Sequence, residues 1–292
     1  MTLDERLLDP QERAALSLRQ LYLQAGYSRF RMDKFEHYDL YARYRDSLVS
    51  ERVLTFTDAG GRLKALRPDV TLSIIKQYQG EPLRVQYSEN VYRPGADGEF
   101  REIMQAGIEC LGDIGLTETC EVAALAVRSL QALGEDYVLT LSDMGLVQRA
   151  ITDVTRDPQQ QKQLLQLIGR KSLGELKAYC AANSLPAEGL KPFITLSGEP
   201  REVLGRLPGD GTQTLRAVAD DLQRQGAGGR VRIDFSIGTD AAYYDGILFK
   251  GYLQGRPNSV LSGGRYDPLL RRMGRPGGAV GFAVYLSELE GA

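Results

Sequence analysis

The sequence predicts an α+β protein: an antiparallel sheet flanked by helices, interrupted by one long helical stretch. Three observations predict it. Strand-like runs come as hairpin pairs, 52–57 with 62–67 and 83–93 with 100–112. From about 145 to 228 the chain turns rich in Gln, Leu, Lys and Glu at helical spacing, broken at Pro158, Pro186, Pro192 and Pro208. Strand character then returns at 231–237, 247–252 and 278–285. The expected organisation is a discontinuous core of 1–144 and 229–292 around a mostly helical insertion of 145–228. A doubly wound fold would alternate β and α, and this chain does not. The glycine-rich GRPGGAVG at 274–281 does not spell G-x-G-x-x-G after a strand, so no dinucleotide cofactor is expected.

The elements follow in order. Asp9 can cap a helix, Pro10 suits its first position and Glu12 can reach back to complete a capping box. Leu18, Leu21, Tyr22 and Ala25 continue at helical spacing until Gly26. RVLTFT and RLKALR flank a D-x-G-G turn and read as a hairpin, with Pro68 closing its second strand and a helix from Val70 to Tyr78. Residues 83–93 and 100–112 pair across the loop Pro94–Glu99. Val122, Leu125, Ala126, Ser129, Leu130 and Leu133 mark one side of a helix over 117–134, and a strand follows at Tyr137–Leu141. In LSGGRYDPLL, 261–270, Gly263 and Gly264 are expected to let the backbone bend and approach the pocket closely, and Asp267-Pro268 to cap a helix.

Composition excludes several functions. The net charge is −2, which advertises no nucleic-acid partner. No apolar run of about 18 residues suggests a membrane span, and the acidic start MTLDERLLDPQERAAL lacks a secretory pattern. Three cysteines, Cys110, Cys120 and Cys180, have no CxxC spacing and fit reduced thiols in a cytoplasmic protein. His37 is the single histidine, so a multi-histidine metal site is impossible. Its polar surroundings, KFEHYDLY, suit a surface position, and no metal or cofactor is expected.

Polar residues gather in four strand-like stretches: LRPDVT at 66–71, YRP through Glu109, Tyr243-Tyr244-Asp245, and GGRYD at 263–267. Arg101, Gln105 and Glu109 differ by even numbers, so a regular strand points all three to one face. Buried carboxylates need partners, which a ligand ammonium or imidazole would supply. A solvated sheet face explains the same spacing.

These stretches resemble a family. LRPDVT is similar to the strand-to-helix motif of histidyl-tRNA synthetases, and Tyr92–Gly112, ending Gln105-Ala-Gly-Ile-Glu109, resembles motif 2 of class II synthetases in its histidyl form. Tyr243-Tyr244 and SGGRYDPLL resemble the two histidyl signatures, and GFAVYLSELE resembles motif 3. The resemblance implies a class II aminoacyl-tRNA synthetase-like core with an amino-acid pocket. Asp69, Thr71 and Gln105 would lie at the amino end of bound histidine. Glu109 with Tyr243 or Tyr244 would face the imidazole, and Tyr266 would line the same pocket. Arg93 is the retained motif 2 arginine.

The departures concern ATP. Glu288 stands where motif 3 carries an arginine, and a carboxylate there would repel phosphate. Thr239 stands where the histidyl signature has another arginine, and the motif 2 loop at 94–97 is short. No anticodon-binding domain is expected after Ala292. With the amino-acid pocket retained and the nucleotide clamps lost, the chain resembles the regulatory subunits of ATP phosphoribosyltransferase, most of all over Asp245–Asp267. That resemblance implies a non-catalytic protein that binds L-histidine, assembles, as a homodimer within a hetero-oligomer, with the short-form catalytic subunit of the first step of histidine biosynthesis, is required for that subunit's activity and takes part in histidine feedback regulation. No tRNA or membrane partner is implied. The alternatives are a divergent adenylate-forming ligase relying on Arg93, Arg101 and Arg265, and a tRNA-binding module.

Overall fold

The computed structural model describes residues 8–45, 52–95, 97–207, 211–238 and 244–289. Helix α1 (Pro10–Gln24) starts as its sequence dictates. The Asp9 carboxylate accepts from the Glu12 amide at 2.7 Å, and Glu12 accepts from the Asp9 amide at 3.0 Å. Gly26, at φ +85°, turns the chain out of the helix. Strands β1 (Ser28–Arg29) and β2 (Phe35–His37) and helix α2 (Tyr38–Arg43) follow. The hairpin is formed by β3 (Thr55–Thr57) and β4 (Leu63–Leu66), and β2 joins its other side in a small sheet ordered β2-β4-β3. His37 is exposed and lies 3.0 Å from the Lys64 amine.

Helix α3 (Thr71–Gln77) leads into the long hairpin β5 (Leu83–Pro94) and β6 (Phe100–Gly112). Then come α4 (Leu116–Leu133) and β7 (Tyr137–Asp143). The helical stretch comprises α5 (Met144–Val154), α6 (Pro158–Gly169), α7 (Leu173–Ala182), α8 (Lys191–Thr195), the short strand β8 (Ser197–Gly198), α9 (Pro200–Arg206) and α10 (Gln213–Arg224). Pro158, Pro192 and Pro200 each sit in a first helical turn, where the missing amide costs nothing. The chain closes with β9 (Val231–Asp234), β10 (Ile247–Leu253), β11 (Leu261–Arg265), α11 (Asp267–Arg272), β12 (Gly278–Tyr285) and a 3₁₀ turn at Leu286–Leu289.

The main sheet has the order β1-β5-β6-β12-β11-β10-β7-β9-β8. Most neighbours are antiparallel, with β1 parallel to β5 and β7 parallel to β9. A parallel pair requires a crossover, and the helices of 144–224 supply it between β7 and β9. Among the described residues no helix is long and apolar enough to cross a membrane. The three cysteines are free, Cys110 and Cys180 buried and Cys120 half-buried.

One face of the sheet carries α1 and α4. Val122, Leu125, Ala126, Ser129 and Leu130 of α4 are buried. Tyr22 of α1 bonds the Ser129 hydroxyl at 3.0 Å and sets its ring edge-on to Phe282 of β12, centroids 5.9 Å apart. Gly281 and Ala283, the strand neighbours of Phe282, point to the opposite face.

Two expectations about 261–270 change. Gly263 and Gly264 do not bend the chain; both lie inside β11. They are small because neighbouring backbone comes close: a Cβ on Gly264 would stand 2.5 Å from the Ile247 carbonyl oxygen, and one on Gly263 2.7 Å from Phe282 Cα. Asp267 does not cap α11 with its side chain. Its carboxylate instead accepts from the Ala279 amide at 2.9 Å and pairs with Arg265 at 2.8 Å, stitching β11 to β12. Pro268 does occupy the first turn of α11.

Candidate functional site

The site is built on the sheet face away from α1 and α4. In β6 the odd-numbered residues share that face, so Arg101, Gln105 and Glu109 do point together. The solvated-face reading fails for two of them: Arg101 is exposed, but Gln105 and Glu109 are each only 2% exposed. Glu109 is opposite Gly281 on β12, where a Cβ would stand 2.7 Å from the Glu109 carboxyl carbon. The missing side chain lets the carboxyl group lie flat on the sheet.

Two hydroxyls hold that group. Thr71, the first residue of α3, donates to Oε1 at 2.8 Å, and Tyr266, just before α11, donates to Oε2 at 2.5 Å. Burial pushes the Glu109 carboxyl up to about 8; the Tyr266 and Thr71 hydrogen bonds pull the other way, and nearby Asp69 adds to the rise. No cation pairs with Glu109 among the described residues. The Tyr266 phenol is likewise driven well above its usual range, first by burial and then by the field of Glu109.

Asp69 and Arg93 stand beside this pair. The Asp69 carboxylate accepts from the Leu72 amide at 2.9 Å, which fixes the first turn of α3. The Arg93 guanidinium donates to the Pro68 carbonyl at 2.5 Å and lies 3.5 Å from Asp69. The side-chain nitrogen of Gln105 is buried with no partner among the described residues. Asp69, Thr71, Arg93, Gln105, Glu109, Tyr244 and Tyr266 thus line one cavity of about 50 Å³. Tyr243 and Thr239 lie outside the described residues.

Two further findings go beyond the sequence reading. Glu288 does not line the cavity; its carboxylate accepts from the side-chain Nδ2 of Asn258 at 3.0 Å. Tyr87, unremarked in the sequence, lines the cavity from β5 opposite Gly107. Counting back from the loop 94–99 along the hairpin would have found it, because Pro94 pairs with Phe100 and the register carries Tyr87 to Gly107.

Chemically, the cavity offers a neutral-leaning carboxyl, phenols, an unmatched amide and one carboxylate–guanidinium pair. That set suits a small ligand rich in N–H donors, and a site built on hydrogen bonds rejects analogues lacking them. Among the described residues no cluster of side chains could hold a metal ion.

A long antiparallel hairpin and neighbouring strands, backed by helices and framing a small polar pocket, form the class II aminoacyl-tRNA synthetase core. More narrowly, the chain belongs to the histidyl-tRNA synthetase family, whose profile matches residues 4–289. Relatives include an ATP phosphoribosyltransferase regulatory subunit of Clostridium acetobutylicum, 28% identical over 94% of this chain and 73% of the relative. One from Bacillus cereus (strain AH820) is 27% identical over 95% and 71%. Among solved structures, an ATP phosphoribosyltransferase regulatory subunit/histidyl-tRNA synthetase from Bacillus halodurans C superposes at TM-score 0.84 with 25% identity, covering 99% of this chain and 80% of that one. An ATP phosphoribosyl transferase complex from Thermotoga maritima contains a chain of the same fold, at TM-score 0.78 and 20% identity, covering 94% and 97%.

Proposed function

We propose that this chain is a regulatory subunit of ATP phosphoribosyltransferase, binding L-histidine in the synthetase-derived pocket and joining the short-form catalytic subunit of histidine biosynthesis. The observation that carries the ligand reading is the buried Glu109 carboxyl, held by Thr71 and Tyr266 beside the unmatched Gln105 amide. An imidazole meets the carboxyl and phenol, and the α-ammonium meets Asp69. The names of the relatives in Clostridium and Bacillus support the partner reading.

The arginines available for nucleotide chemistry are engaged with carboxylates: Arg93 with Asp69, Arg101 with Asp97, and Arg265 with Asp267. This favours a non-catalytic role over adenylate formation, which needs guanidinium groups for phosphate. Robust pyrophosphate exchange with ATP and histidine would overturn that reading. Calorimetry with L-histidine tests the pocket: Glu109→Ala and Tyr266→Phe are each expected to weaken binding at least tenfold, and unchanged affinity in both sinks the assignment.

In the proposed homodimer the subunit contact runs through a helix and a strand near the N-terminus, around residues 9–40. Leu16 and Leu23, seven apart on α1, are 37% and 55% exposed, which suits a covered helix face. Leu23→Glu is expected to shift the free chain from dimer to monomer in light scattering. Co-purification with a short-form phosphoribosyltransferase, assayed with and without this chain, tests the partnership.

A further inference from the structure

A second cleft, of about 600 Å³, opens at the far end of the main sheet from the Glu109 cavity. Strands β7 and β10 set the separation. Asp143 pairs with Ile247 at the end near Tyr244, and Tyr137 pairs with Leu253 at the cleft. The seven residues of β10 span about 20 Å. The cleft lies where the first turns of α1, the end of α4 and the β10–β11 turn meet. Backbone bonds fix that turn. The Gln254 amide donates to the Asp136 carbonyl at 2.9 Å and the Arg256 amide to the Leu253 carbonyl at 3.1 Å, with Gly255 at φ +78° between them. Arg256 is thereby held in the wall of the cleft.

The side chain of Arg256 is half-buried, and its Nη1 is fully buried with no acceptor among the described residues. A guanidinium is always charged and only donates. A buried donor of that kind is costly unless an acceptor meets it, and a carboxylate meets it best. The other charges around the cleft do not supply one: Asp136 pairs with Arg230 at 3.1 Å, Glu135 lies exposed on the rim, and Arg13 is a second cation, itself engaged. Leu133, Leu253 and Leu289 give the cleft apolar walls. An anionic group against Arg256, an apolar body along the leucines and a cationic group toward Glu135 describe one class of small molecule, an amino acid with an aliphatic side chain. We propose that this cleft is a second ligand site, separate from the Glu109 cavity, which binds such a zwitterion with its carboxylate on Arg256.

The test follows backbone amide shifts of the full chain by NMR, with L-histidine present throughout so that any response at the cleft is read apart from the Glu109 cavity. L-Leucine is expected to move the amides of Gly134, Gln254 and Arg256 and to saturate. 3-Methylbutylamine, the same molecule without its carboxylate, is expected to bind at least tenfold more weakly. Arg256→Gln removes the charge, and a hydrogen bond between charged groups is worth about 10- to 100-fold in affinity. The variant is expected to lose about that much for leucine and nothing for the amine. Because Arg256 Nη1 has no acceptor in the free chain, the substitution is also expected to hold the urea midpoint level or raise it. A lowered midpoint would assign Arg256 a structural role and overturn the proposal. So would still amides at the cleft under leucine, equal affinity for leucine and the amine, or wild-type leucine affinity in Arg256→Gln. None of these outcomes touches the reading of the Glu109 cavity.

Discussion

Glu109 decides the chemistry of the site, and its environment gives it a pH signature. Folding raises its carboxyl from an ordinary 4.5 to about 8. Between those values the folded protein holds a proton that the unfolded chain has released, so this group's contribution to stability falls as pH rises and is spent above about 8. The slope approaches ~1.4 kcal/mol per pH unit. Glu109→Gln keeps the shape without the charge, so urea midpoints at pH 5, 6.5 and 8 are expected to decline less steeply than in wild type. Parallel curves would mean that Glu109 titrates normally. Thr71→Val removes one of the two donors with little change of volume. It is expected to cost about 1–2 kcal/mol of stability, read from the same denaturation series. The odd numbering of Gln105 and Glu109 was legible in the chain, and with it their shared face. Their burial was not, because a sheet face is wet or dry according to what packs above it, here Thr71 and Tyr266 from elements remote in sequence.

At the scale of elements, Arg67 explains how the small sheet is fastened. It is fully buried just after β4 and donates to the Asp33 carbonyl at 2.7 Å, the Asn90 carbonyl at 2.9 Å and the Glu89 carboxylate at 3.0 Å. Losing a buried charge partner costs about 3–5 kcal/mol, so Arg67→Ala is expected to lower the urea midpoint by that equivalent, whereas Arg62→Ala at the exposed turn should cost well under 1. Most strands and helices were readable because period and punctuation agree, as at Asp9-Pro10 and across the 94–99 loop. Strands β1, β2 and β8 were not, since two or three residues carry no period. The 263–264 glycines misled for a physical reason: the same residue serves a sharp bend and a tight interstrand approach, and only the neighbouring chain distinguishes them.

For the whole molecule, the proposal demands linkage. If histidine occupancy alters the catalytic partner, then the partner alters histidine affinity by the same factor, about 5- to 150-fold in typical cases. Titrating histidine into the free chain and into the assembly is expected to give dissociation constants differing by at least fivefold. Equal values would leave the pocket without regulatory leverage. The position of the cavity floor has an experimental corollary. Its strands β6 and β12 lie inside the nine-stranded sheet, hydrogen-bonded on both sides, and β6 is buried from Gln105 to Gly112. Amides so placed trade hydrogen for deuterium only when the domain opens globally. A bound ligand therefore leaves little isotopic footprint on the floor it covers. Its signal should appear at the rim, in the first turns of α3 and α11, where Thr71 and Tyr266 meet Glu109.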